Sequence, residues 1–393
     1  MRQPTKFTVA VSALALLGSS MAVAQLPPSN APQGQPGVPA SGAPADPDNQ
    51  AVVDALTKTL KLRPYHTLTP VQARQQPTFT DGVNAVLKAQ GRSTAPPPGT
   101  TERDISVNGA AGKLHALLIT PSGARGKKLP VILYFHGGGW VIADSKVYAG
   151  GARGLARGAQ AIVVSVDYRR APEAPFPAQH DDALASYRWL LANAASIGGD
   201  ASQIAFAGES AGGNLAISTA VQARDAGLPA PRHILSVYPI AGNDLNTPSY
   251  QDTANGPTLN RALMVWFFRY VARTPADLMD PRINLVGANL AGLAPVTIVA
   301  AQIDPLRSEG ELLAQRLGAA GVPVERREFA GATHEFFGAD AVIQDARDAQ
   351  AFATERLRTA FGGSLDGAQS QDVGQAPTGN QPPPEPVRMP ERG

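Results

Sequence analysis

The chain has 393 residues, 34 Lys and Arg against 32 Asp and Glu, and no cysteine. The missing cysteine excludes a disulfide framework, a Cys-ligated metal and a lipid-anchored lipoprotein. Arg2 and Lys6 are the only charges in the first 24 residues, so residues 25–393 hold 32 of each sign and offer no electrostatic footprint for nucleic acid or an anionic membrane.

Residues 1–24 read as an export signal: Arg2 and Lys6 precede the apolar run Phe7–Leu17, and Ala22-Val23-Ala24 supplies a small-residue cleavage site. The run is too short to span a bilayer. The expectation is a periplasmic or secreted protein with no integral membrane segment once the signal is cleaved. Residues 25–50 contain seven prolines and no aromatic, and residues 362–393 return to that composition, with Pro382-Pro383-Pro384 near the end. Both stretches are expected to be disordered, because such sequences bury too little apolar surface to offset chain ordering. The remaining 51–361 exceeds slightly the size at which one core stops growing, which favours one large domain with an appended cap.

Within that body, Val53, Leu56 and Leu60 share one helical face, and Phe79, Val83, Val86 and Leu87 share another. These two short helices need a surface to lie on, and Pro96-Pro97-Pro98 marks a break after them. Lys113–Thr120 begins as an alternating, half-buried strand. Val131–Phe135, Ala161–Val166, Ile204–Ala207 and Val296–Ala300 are nearly unbroken apolar runs, as strands covered on both faces are. A further strand is expected at Val322–Phe329. Helical segments near 183–195, 211–224, 306–320 and 341–359 intervene, and the alternation predicts an α/β fold: a mostly parallel sheet flanked by helices.

The chemistry concentrates at strand ends. Gly208-Glu209-Ser210-Ala211-Gly212-Gly213 follows one apolar strand and opens a helix. Glycines on both sides of the serine permit the tight turn that exposes a nucleophilic hydroxyl, the G-x-S-x-G elbow. His136-Gly137-Gly138-Gly139-Trp140 ends the strand Val131–Phe135, and consecutive glycines leave backbone N–H groups free to meet a developing oxyanion. A phosphate loop is the rival reading, but neither G-x-x-x-x-G-K-[ST] nor G-x-G-x-x-G is present.

The base must be one of six histidines. His66, His115, His136, His180 and His233 fall in the N-terminal segment, a strand, the glycine loop, and near helix and strand starts, whereas His334 closes Gly331-Ala332-Thr333-His334 in a loop before the final helix. Asp304, just beyond an apolar strand, is the candidate acid between serine and histidine. Its position before Pro305 also fits a helix N-cap, and Asp280 is a rival that follows no buried strand.

These motifs, with Asp167-Tyr168-Arg169-Arg170-Ala171-Pro172-Glu173 and Asp304-Pro305-Leu306-Arg307, resemble those of the hormone-sensitive-lipase-like (bacterial family IV) esterases over roughly residues 52–361. The resemblance implies an α/β-hydrolase fold with a helical cap, formed by residues 51–100 and about 242–292. It also implies a Ser210, Asp304, His334 triad and oxyanion donors from the N–H groups of Gly138, Gly139 and Ala211. Trp140, Glu209 and Trp266 are expected to contact substrate. No metal and no cofactor is expected. The expected partner is a small-molecule ester, and oligomeric state is left open. Arg170 stands where the family often has Leu, Ser308 where an acid is common, and Glu335 where a Gly often follows the histidine. The implied reaction is hydrolysis of short-chain acyl esters. An amidase or peptidase with the same triad, or a binding protein that kept only the fold, are the alternatives.

Overall fold

The computed structural model describes residues 44–363 except 124, 125, 127, 254 and 255. The expected export signal, most of the Pro-rich linker and nearly all of the C-terminal tail lie outside the described residues. Eight strands form one sheet: β1 (Thr100–Gly109), β2 (Gly112–Pro121), β3 (Leu129–Phe135), β4 (Ile162–Val166), β5 (Gly199–Glu209), β6 (Ile234–Val237), β7 (Val296–Ile303) and β8 (Val324–Thr333). Their order is β1-β2-β4-β3-β5-β6-β7-β8. β1 and β2 are antiparallel to their neighbours, and every pairing from β4 to β8 is parallel.

The sheet is buried on both faces, which is why its central strands read as continuous apolar runs. Val131, Leu133 and Phe135 of β3 point into one core, while Ile132 and Tyr134 point into the other. α5 (Ala178–Asn193), α6 (Ala211–Asp225), α8 (Arg261–Val271) and α9 (Arg307–Ala319) contribute to the first core. α1 (Pro47–Asp54), α3 (Phe79–Ala89), α4 (Ala149–Ala159) and α10 (Gln344–Ala360) contribute to the second. The short α2 (Pro70–Ala73) and α7 (Pro248–Asp252) sit in the two segments that border the site.

Two elements escape the sequence pattern for physical reasons. β1 is a largely exposed edge strand whose apolar alternation is confined to Ile105 and Val107. α4 carries four glycines, a composition that reads as a loop, yet Gly154 and Gly158 lie so close to Gln350 and Thr354 of α10 that a Cβ at either would overlap those side chains. The glycines are the contact surface.

The expected linker also ends too late. α1 starts at Pro47, where a proline at the first helical turn gives up an N–H that has no partner anyway. Asn49 is fully buried, and its Oδ1 accepts hydrogen bonds from the Thr333 hydroxyl at 2.8 Å and backbone N–H at 3.3 Å. A residue assigned to a disordered stretch thus fastens the end of β8.

Candidate active site

Each parallel strand from β4 to β8 hands its chain to the site at its C-terminal end. The first residue past β3 is His136, past β4 Asp167, past β5 Ser210, past β6 Tyr238, past β7 Asp304 and past β8 His334. In a parallel sheet these ends lie along one edge, where open α/β sheets bind their ligands. A register shift between β7 and β8 moves the pairing from Ala301–Phe329 to Ile303–Thr333. The segment expected to be a loop before His334 is therefore strand, and the imidazole projects from its tip.

Ser210 adopts φ 57 and ψ −117, a sparsely populated conformation held from both sides. Its N–H donates to Val237 O at 2.8 Å, and its carbonyl accepts from Asn214 N at 3.1 Å and Ile240 N at 3.3 Å. A Cβ at Gly212 would overlap the Phe135 carbonyl, and one at Gly208 would overlap Gly212 O. Only glycine fits at both places, so the G-x-S-x-G spacing follows from β3 passing directly beneath the turn.

His334 Nδ1 lies 2.7 Å from Asp304 Oδ2, and Nε2 lies 3.0 Å from Ser210 Oγ. A carboxylate only accepts, which assigns the proton of the neutral ring to Nδ1 and leaves Nε2 to accept from the serine hydroxyl. The other oxygen of Asp304 accepts the Leu306 N–H at 2.8 Å. That contact holds the turn ahead of α9, which starts at Arg307 with Leu306 at its N-cap and no side-chain capping bond, so the N-cap reading of Asp304 is not realised. Ser210, Asp304 and His334 are all buried. Burial alone lowers the His334 pKa, but the charge and hydrogen bond of Asp304, with the charges of Glu335 and Glu209, outweigh it and raise the pKa above its ordinary value.

The other histidines lie away from Ser210. His115 pairs with Asp104 and Asp167, His180 with Asn214 and His233 with Thr297. His66 is exposed. Asp280 is held by Arg282, with contacts of 2.9 Å to each of its oxygens.

The glycine loop turns back on itself: Gly138 O accepts from Val141 N at 3.0 Å and Ile142 N at 2.9 Å. Gly139 has φ 57 and lies so close to the Phe267 ring that a Cβ would overlap it. Among the described residues, no acceptor meets the N–H groups of Gly138, Gly139 or Ala211, the last of which opens α6. Asp167-Tyr168-Arg169-Arg170 braces this loop. Tyr168 OH donates to His136 O at 2.9 Å and its ring stacks on the imidazole at 4.3 Å. Asp167 accepts from Ser145 N at 2.6 Å, and an N–H of Arg170 donates to Ala143 O. Arg74 reaches across from α2's C-terminal end to Val141 O at 2.8 Å and Ala171 O at 2.7 Å while pairing with Glu173.

A cleft of about 450 Å³ of empty space, part of it open solvent, lies over Ser210 and His334. Its wall is apolar, with Leu56, Leu62 and Phe79 on one side and Leu259, Leu263 and Phe267 on the other. Both segments named as cap thus border the cleft. None of Trp140, Glu209 and Trp266 lines it, and each has a physical reason. Trp140, at φ 61, turns its fully buried indole inward towards His180. Glu209 shares the strand face of Ala205 and Ala207, away from the cleft, and accepts hydrogen bonds from the hydroxyls of Tyr134 and Tyr238. Trp266 lies off the Leu263–Phe267 face of α8 and donates its indole N–H to Leu68 O at 2.9 Å, which ties the two bordering segments together. Leu263 and Phe267 were in reach of sequence reasoning, being four apart on a helix. Leu62 and Tyr65 carry no such signal.

Burial pushes the Glu209 carboxyl up to about 7 against the two tyrosine donors. Among the described residues no set of three or more His, Asp or Glu side chains is arranged to hold a metal ion, and no helix is long and apolar enough to cross a membrane.

Residues 132–338 match the family described as α/β hydrolase fold. The chain belongs to that family. It is a hormone-sensitive-lipase-like hydrolase, and the glycine loop, the elbow and the closing histidine all fall within the matched residues. The hydrolase is 38% identical to the carboxylesterase NlhH of Mycobacterium tuberculosis over 296 residues, covering 72% of this chain and 92% of that one. It is 36% identical to the ethyl acetate hydrolase of Pseudomonas putida over 229 residues, covering 58% of this chain and 72% of that one. Among solved structures, the hyperthermophilic esterase of Pyrobaculum calidifontis superposes with a TM-score of 0.72 at 32% identity, covering 80% of this chain and 98% of that one.

Proposed function

We propose that this hydrolase is a serine carboxylesterase that cleaves short-chain acyl esters through an acyl-enzyme, with Ser210 as nucleophile, His334 as base and Asp304 as orienting acid. The observation that carries the reading is the continuous hydrogen-bonded chain from Asp304 through His334 to Ser210, at 2.7 and 3.0 Å. Ser210 Oγ attacks the ester carbonyl as its proton passes to His334 Nε2. The imidazolium, held by Asp304, returns that proton to the leaving alcohol, and water then resolves the acyl-enzyme by the same route. Unclaimed N–H groups of Gly138, Gly139 and Ala211 receive the oxyanion. The mostly apolar cleft, about 450 Å³ including open solvent, favours a small acyl or alcohol group, and the name of the Pseudomonas relative points the same way. The nucleophile, base and oxyanion site are all protein groups, so the reaction as proposed calls on no cofactor. The reading includes export on residues 1–24.

A panel of p-nitrophenyl esters from acetyl to palmitoyl tests it. The wild type should turn over the short members, with a fall beyond about eight carbons, and Ser210→Ala should turn over none. Persisting hydrolysis by purified Ser210→Ala protein, or a rise towards palmitoyl, would overturn the nucleophile or the chain-length assignment respectively.

A further inference from the structure

Glu335 follows His334 directly, at φ 74, in the left-handed region where glycine is at home and other residues are strained. Its half-buried carboxylate lines the cleft over Ser210 and two cavities beside it. Tyr148 OH donates to it at 3.1 Å, and among the described residues it forms no ion pair with Lys or Arg. A strained backbone and a desolvated, unpaired carboxylate are two local costs with no packing return, and such outliers concentrate at working sites.

The charged and titratable groups around it come from every bordering element. Tyr65 and Arg74 face the same cavities from the N-terminal segment, Asp144 and Tyr148 from the turn before α4, Arg170 from beyond β4, and Glu209 from β5. Most are already engaged. Arg74 is committed to Glu173, Glu209 to its two tyrosines, and Asp144 to the N–H groups of Lys146 and Val147. An N–H of Arg170 is taken by Ala143 O. Burial holds the Glu335 pKa above its ordinary value; the charge of His334 and then the Tyr148 hydrogen bond favour its charged form, and Asp304 opposes it.

We infer that Glu335 is a positioning residue that stabilises the imidazolium formed when His334 takes the Ser210 proton, adding a second carboxylate to Asp304. The inference rests on the esterase reading above. Glu335 takes no proton in the cycle: the proton moves from Ser210 Oγ to His334 Nε2 and on to the leaving alcohol, while the carboxylate form of Glu335 lowers the energy of the ion pair between these two transfers.

The sign of the pH effect follows. The acid limb of kcat/KM reports protonation of the free base. A nearby carboxylate favours the charged ring, so removing that charge moves the limb to lower pH. The experiment is a kcat/KM profile for p-nitrophenyl butyrate from about pH 5 to 9 with wild type, Glu335→Gln, Glu335→Gly and Tyr148→Phe. Both Glu335 variants should show an acid limb displaced to lower pH, with a plateau reduced by no more than about tenfold. Glu335→Gly also relieves the backbone, so its Tm should not fall, which separates charge loss from misfolding. Tyr148→Phe removes a hydrogen-bond donor that favours the charged form of Glu335 and should displace the limb the same way. An acid limb unmoved in both Glu335 variants, with Ser210→Ala and His334→Ala inactive, would overturn this inference and leave the esterase reading standing. Activity retained by Ser210→Ala would overturn the reading beneath it.

Discussion

Ser210, Asp304 and His334 each stand one residue past a strand of one sheet, whereas the side chains facing them across the cleft come from Leu56 to Phe79 and from Thr258 to Phe267. At the strand tips, position is set by backbone hydrogen bonds and sheet register. At the cleft wall it is set by packing between two segments far apart in the chain, joined by single contacts such as Trp266 to Leu68 O. The first arrangement leaves a local signature in the sequence and tolerates almost no change. The second leaves little trace and has room to vary. Substitutions should therefore act through chemistry at the tips and through substrate choice at the wall.

The largest effect is expected from the proposed nucleophile and base. Ser210→Ala or His334→Ala should each lower kcat by something on the order of 10⁶, measured as steady-state hydrolysis with the fold checked by circular dichroism. Asp304→Asn keeps the shape but offers His334 an amide in place of a carboxylate, which permits the wrong tautomer, and a loss near 10⁴ is expected. Gly139→Ala places a methyl against the Phe267 ring and displaces one proposed oxyanion donor. A fall of about 10²–10³ in kcat should result, and Gly139→Ala combined with Phe267→Ala should recover part of it by making room. At the wall, Leu263→Ala should change the butyrate-to-acetate ratio of kcat/KM by about tenfold or less. If that substitution instead abolished turnover of both esters, the division between tips and wall would not hold.

The smallest expected effect concerns stability at the tip of β5. A carboxyl whose folded pKa is raised contributes stability that is fully present below its unfolded pKa and lost as pH rises through the folded value. For Glu209 that window runs from 4.5 to about 7. Thermal unfolding followed across the window should show the wild type losing stability as pH rises, and Glu209→Gln should flatten that slope. An unchanged slope in the variant would assign the titration to another group.

What the sequence discloses follows the same division. The elbow at Ser210, the glycine loop and the order of Asp304 and His334 were legible because each is a local run of residues whose shape admits few alternatives. Trp140, Glu209 and Trp266 were misplaced because proximity in sequence to a motif does not fix which way a side chain points. A left-handed backbone at Trp140, the two-residue alternation of β5 at Glu209 and the helical offset at Trp266 each turn the side chain from the cleft. α4 was hidden by glycines that serve its contact with α10. Asn49 was hidden by a proline that starts a helix. Composition left the first unassigned and placed the second in the linker, since it counts residues without knowing what they face. Glu335 was visible as a departure from its family, but its neighbours Tyr148 and Glu209 are brought to it only by the fold.

The central claim is that Ser210 is an activated nucleophile because His334 and Asp304 reach it. It is tested most directly by treating the protein with a fluorophosphonate and locating the adduct by peptide mass spectrometry. The account predicts a single phosphonylated residue, Ser210, in the wild type, and no adduct in His334→Ala at matched time and concentration. An adduct on a different residue, or undiminished labelling of Ser210 without His334, would contradict it.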